Sequence, residues 1–186
     1  DGFFYDVYHA AVERPELGYK NLGCWSAPFY LGGNVESSGY RMIAYSVPLI
    51  TESGEVYGVL GIELSESYLK DFLPFREIND TSSYVLAQAE ADGTWRPILA
   101  TGTVLSDTKV SDRISLDETD YSNPFQVSGS IRDEAFATVK ELRLYNTNTP
   151  FSDRVWILAG VQRESSRFGV GLTILRIMTL AIAVAL

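Results

Sequence analysis

A single histidine and a single cysteine in 186 residues remove most of the reactive chemistry that a chain of this size can carry. His9 alone cannot furnish a multi-histidine metal site, and it reads as a partly buried polar residue in a first helix rather than as a catalytic base. Lone Cys24 excludes an internal disulfide framework and a thiolate metal cluster, and it is compatible with either redox compartment. No Gly-rich phosphate loop, HExxH, CxxC or nucleophile elbow occurs. The acid pairs Asp117/Glu118 and Asp133/Glu134 stand in polar loops beside basic residues, where they read as solvated charge rather than a glycosidase pair. Positive charge is scarce too: 15 Lys and Arg against 24 Asp and Glu leave a net charge of -9, which argues against nucleic acid as a partner. No catalytic residue, metal site or cofactor is expected, and nothing asks for an enzyme.

Aromatic and apolar residues are plentiful instead. The chain is 46% hydrophobic with 11 Tyr, 9 Phe and 3 Trp, enough to fill a core, and its length allows one large domain or two small ones. Apolar spacing from Phe3 to Val12 suits a short helix that Pro15 would end. A turn-rich stretch, GYKNLGCWSAPFYLGG, sets Trp25, Phe29 and Tyr30 between glycines. Tyr40 to Ile50 and Val56 to Leu64 read as a hairpin, followed by a helix over 65–73 capped by Ser65 or Ser67 and stopped by Pro74. After the polar stretch FREINDTSS, a second unit begins with the hairpin Tyr84–Ala89 and Trp95–Ala100 around an Asp-Gly turn. Residues 102–123 are polar and irregular, and the strand-like runs AFATVKELRLY and VWILAGV flank the loop NTNTPFSDR.

The C-terminus is the one long apolar run. GVGLTILRIMTLAIAVAL reads either as an amphipathic core helix or as the start of a membrane span with Arg176 snorkelling at the interface; the second is favoured. The start, DGFFYDVYHAA, enters directly into folded-looking sequence, so an upstream segment is expected.

The stretch YSVPLITESGEVYGVLGIELSESYL, with Tyr45, Pro48, Gly54, Gly58-Val59, Gly61 and Glu63 before a helix, resembles the signature hairpin of the double Cache family of extracytoplasmic, PAS-like sensors of bacterial receptors. The segment GCWSAPFY is similar to the family's Trp-containing lip, and the second unit resembles its membrane-proximal module. The resemblance implies an α+β fold of two PAS-like modules, antiparallel sheets flanked by helices, before a transmembrane helix. The divisions are a distal module over 1–75, a proximal module over 81–163 and a membrane segment from 170 to 186. It further implies a ligand-sensing domain on the outer side of the cell membrane, anchored by the C-terminal helix and dimeric in the full receptor. The alternative is a membrane-anchored protein-interaction domain whose pocket is filled by its own side chains.

Glu63 poses the sharpest question, because its strand otherwise looks buried on both faces and a buried carboxylate needs a partner. Either an internal Arg or Lys satisfies it, or it shares a small site with Tyr45 across the hairpin and awaits a ligand. The expected binding residues are Trp25, Phe29, Tyr30, Tyr45 and Glu63, with Trp25 and Tyr30 equally readable as core. Amino-acid sensors of the family carry an Arg two residues before the Trp; here that residue is Gly23, and spacing singles out neither Lys20 nor Arg41 as a replacement. With the acid kept and the cation lost, the resemblance implies a small amine-bearing ligand rather than a simple carboxylate, with ammonium and aromatic faces meeting beside Glu63.

Overall fold

The computed structural model describes residues 2–31, 40–72, 82–105, 112–118, 125–128 and 135–163. Helix α1, Gly2–Glu13, forms where the spacing predicts it, and it buries Val7, Ala10 and Ala11, the i, i+3, i+4 stripe. Pro15 opens a short 3-10 turn, Pro15–Leu17, at a position where its missing N–H costs nothing. Helix α2, Gly18–Leu22, follows and buries Leu22. Strands β1 (Cys24–Trp25), β2 (Phe29–Leu31), β3 (Tyr40–Ile50) and β4 (Val56–Ser65) make the first antiparallel sheet. Central β3 carries β1 and β2 along one side and β4 along the other. Helix α3, Glu66–Phe72, comes next, and its cap is Ser65, whose Oγ accepts the Tyr68 N–H at 3.2 Å.

The sheet's two faces have different covers. Residues directly opposite each other on neighbouring strands share a face, so Cys24, Ser46 and Gly61 lie on one side with Ala44 and Glu63, while Trp25, Tyr45 and Ile62 lie on the other with Ile43 and Leu64. Helix α1 covers the first face, where Val7, Ala10 and Ala11 meet Leu22 and Cys24 and where Phe3 stacks on Phe29 at 5.7 Å. The second face turns towards the rest of the chain.

Strands β5 (Ser82–Ala89), β6 (Trp95–Gly102), β7 (Ser115–Glu118), β8 (Phe125–Ser128), β9 (Ala135–Leu142) and β10 (Trp156–Arg163) form a separate antiparallel sheet in the order β6-β5-β10-β9-β8-β7. Its edges approach each other: Trp95 and Ile114 exchange two backbone hydrogen bonds of 2.9 Å, tying β6 to the residue before β7. The curl encloses a core of Val85, Ala87, Ile114, Val127, Ala137 and Ala159 from the sheet's own concave face. The hairpins β3–β4 and β5–β6 use the same turn. The N–H of Thr51 and of Glu90 each donate to the carbonyl four residues on, and Gly54 and Gly93 take positive φ at the fourth position.

The sheets meet through a shared apolar cluster. Ile43, Trp25 and Leu64 of the first pack with Ile98, Leu99, Leu86 and Trp156 of the second. Arg41, buried at this seam, donates through Nη2 to the Pro97 carbonyl and lies 3.9 Å from a Glu66 carboxylate oxygen. Burial works against its charge, and Glu66 offsets part of that cost. Among the described residues no helix is long and apolar enough to cross a membrane. The expected membrane segment from 170 to 186 and most of the polar linker lie outside the described residues.

Candidate functional site: a cavity between the two sheets

Three neighbours build one wall. Trp25 on β1 pairs with Tyr45 on β3, and their rings stand 5.0 Å apart on the face turned towards the second sheet. Gly23, just before β1, lies directly under the Tyr45 ring; a Cβ there would come within 2.2 Å of the hydroxyl.

The opposite wall is the connection between β9 and β10, the stretch read from sequence as a plain loop. It is a series of turns: Thr149 donates both its N–H (3.1 Å) and its hydroxyl (2.8 Å) to the Asn146 carbonyl, and Ser152 N–H returns to Thr149. Tyr145 crosses to the first sheet and its hydroxyl accepts the Trp25 backbone N–H at 2.9 Å. Arg154 then donates to the Cys24 thiol at 3.0 Å and to Asp6 of α1 at 2.6 Å, while its guanidinium lies 4.9 Å from the Phe151 ring centroid. Burial pushes the Tyr145 phenol up, with Cys24 adding to it. Burial likewise raises the Cys24 thiol, the Arg154 charge offsetting only part. For Arg154 burial is the largest influence and acts against the charge, but the Asp6 hydrogen bond together with the negative ends of Cys24, Asp6 and Tyr145 outweighs it. At neutral pH the cluster is therefore a thiol and a phenol held around one ion pair, a structural clasp rather than a nucleophile with its base.

Between these walls is a cavity of about 290 Å³. Lys20, Asn21, Gly23, Trp25 and Tyr45 line it from the first half of the chain, and Leu144, Tyr145, Asn146 and Thr149 from the second. A neighbouring depression shares Asn21, Tyr145, Asn146 and Thr149. The 290 Å³ cavity is just under the ~300–1,000 Å³ typical of ligand sites. Among the described residues no group of three His, Cys, Asp or Glu is placed to hold a metal ion.

Of the residues expected from sequence, Trp25 and Tyr45 line the cavity and the other three do not. Tyr30 pairs with Arg41 farther along β3, half-buried. Phe29 stacks on α1. Glu63 pairs with Ala44, so it lies on the α1 side, opposite Tyr45, and it is exposed. The strand around it is not buried on both faces: Leu60, Gly61, Ile62 and Glu63 are all exposed, because among the described residues β4 pairs with β3 alone. An exposed carboxylate keeps its water and needs no partner, which removes both the internal ion pair and the shared Tyr45–Glu63 site. What the sequence reading missed was Asn21 and the 144–149 loop, and Lys20, raised beside Arg41, it could not single out. The available signal was a run of Asn and Thr between two apolar strands, since loops carry binding groups more often than strands do.

The chain matches no known protein family and no curated protein sequence. Among solved structures it is similar to the periplasmic sensory domain of the Campylobacter jejuni chemoreceptor Tlp1, with a TM-score of 0.44 and 13% identity over 79% of this chain. The match spans 51% of that domain, so this chain covers about half its length. So loose a likeness leaves the function to the chain's own residues.

Proposed function

We propose that this region is the ligand-sensing part of a receptor exposed outside the cytoplasm, that it binds a small molecule in the seam cavity, and that it does no chemistry itself. The carrying observation is that the cavity has one wall from each sheet, so that a bound molecule touches both Trp25 and Tyr45 and the 144–149 loop. A ligand shifts an equilibrium only by binding one arrangement better than another, and a site shared by two packed units meets that condition. The receptor setting is supported by the hairpin resemblance from Tyr45 to Glu63 and by the apolar C-terminal run.

Thermal unfolding of the chain with amino acids, amines and organic acids tests the proposal. One class should raise the melting temperature, by roughly 2.7 kcal/mol of stabilisation at a hundredfold excess over Kd. Leu144→Trp, placing a large ring at an exposed position of the lining, should abolish that shift and leave the unliganded protein folded. No shift with any class would favour a protein-interaction domain, and a shift that survives Leu144→Trp would place the ligand outside this cavity.

A further inference from the structure

Taking the seam cavity as the ligand site, we infer that its ligand is a small carboxylate and that Lys20 is the cation that holds it. Lys20 is the charged side chain of the lining, with no Asp or Glu beside it. Among the described residues it forms no ion pair; its ammonium group lies 6.0 Å from the Tyr19 ring centroid. Two other polar groups of the lining can donate beside it. The Tyr45 hydroxyl has no hydrogen-bond partner among the described residues, and it stands above Gly23 in the wall. Asn146 uses one amide hydrogen on Asn21 at 3.4 Å, which leaves the second for a ligand.

An ammonium, a hydroxyl and an amide N–H in one lining make a set that a carboxylate satisfies, while the Tyr45 hydroxyl and the Asn146 side-chain carbonyl oxygen could accept from an amine but cannot neutralise its charge. Hydrogen bonds to an ionised group are about twice as strong as neutral ones, whereas a cationic amine would meet Lys20 with no counter-charge in the lining. The Trp25 and Tyr45 rings offer flat apolar surface for the carbon skeleton. The other candidate cation is committed elsewhere: Arg41 is buried at the seam on Pro97 and Glu66. Position 23 cannot contribute one, since the Tyr45 hydroxyl fills the space a side chain would need. The ligand class is thus opposite to the one the hairpin acid suggested, because that acid is on the other face of the sheet.

Calorimetric titration of the whole chain with acetate, benzoate, succinate and citrate, set against ethanolamine, putrescine and tyramine, decides it. At least one carboxylate should bind, Lys20→Met should weaken it by about tenfold or more, and Lys20→Arg should restore it to within a few-fold. Lys20 is exposed on α2, so neither variant threatens the fold, and circular dichroism checks this. Carboxylate binding that ignores Lys20→Met overturns the assignment of Lys20. Binding by an amine alone, lost in Leu144→Trp and unchanged in Lys20→Met, overturns the ligand class but leaves the cavity as the site. Silence from every compound overturns both.

Discussion

Gly23 has no side chain because Tyr45 occupies the place where one would stand. A Cβ at this position would meet the Tyr45 hydroxyl at 2.2 Å, its Cζ at 2.8 Å and a Val47 methyl at 3.2 Å. The backbone itself is ordinary, φ -72 and ψ 141, so any residue could adopt it and the constraint is packing alone. Tyr45 cannot simply yield, since Trp25 stands 5.0 Å away on one side and Ile62 is its partner across the hairpin on the other. Gly23→Ala is therefore expected to cost about 1–3 kcal/mol, the usual penalty of overpacking, in urea unfolding. It should also alter the intrinsic fluorescence, because the displaced ring is the neighbour of Trp25. A stability within about 0.5 kcal/mol of the parent would mean that the Tyr45 ring moves freely, and would remove it as a fixed wall of the cavity.

At the scale of the element, β4 is the unusual strand. It is ten residues long, pairs on one side only among the described residues, and exposes Tyr57 (65%), Leu60 (59%) and Ile62 (58%). A long apolar edge of this kind is a template for unwanted pairing between molecules. Leu60→Lys together with Ile62→Thr should lower concentration-dependent association in sedimentation and light scattering, with stability changed by no more than about 0.5 kcal/mol per site. A loss well beyond that would show that these side chains are covered in solution. The same strand marks what could be read ahead of the structure. Period-two patterning, the glycine turns and Ser65 located both hairpins and α3 to within a residue or two, since each is a local property. Whether Leu60 and Ile62 face protein or water is not local, and an apolar run reads the same in an edge strand as in a central one. Glu63 was misplaced for that reason. The one-residue alternation then put it on the α1 face while Tyr45, paired with Ile62, took the other. The loop of the second wall left a local signal in its Asn and Thr, but its meeting with Trp25 did not, because Tyr145 and Trp25 are 120 residues apart in the chain.

For the molecule as a whole, the seam decides whether two sheets behave as one unit. The first sheet has its own small core under α1, and the second encloses a larger one by its curl. What joins them is the cluster around Trp156, buried at 4% exposure and 6.0 Å from Trp25, together with Arg41 and the Arg154 clasp. The polar links are weak holders: the Asp6–Arg154 pair is partly exposed, where such a pair contributes at most about 1 kcal/mol. Arg41 loses to desolvation much of what its contacts gain. The apolar contact must therefore carry most of the coupling. Trp156→Ala removes the more deeply buried of its two indole rings, a change that costs about 3–5 kcal/mol in a packed core against a total of roughly 5–15 kcal/mol for a domain of ordinary stability. The first sheet should suffer more, since Ile43, Leu64 and Trp25 lose their cover while the enclosed core of the second sheet is not touched. Where the parent unfolds in one transition, Trp156→Ala is expected to unfold in two. Amide hydrogen exchange should show β3 and β4 losing protection before β5 and β10. A single transition, merely lower, with both sheets exchanging together, would mean that the clasp of Tyr145 and Arg154 couples them without the tryptophan. The cavity beside that clasp would then be walled by a rigid joint, ill suited to report that a ligand has arrived.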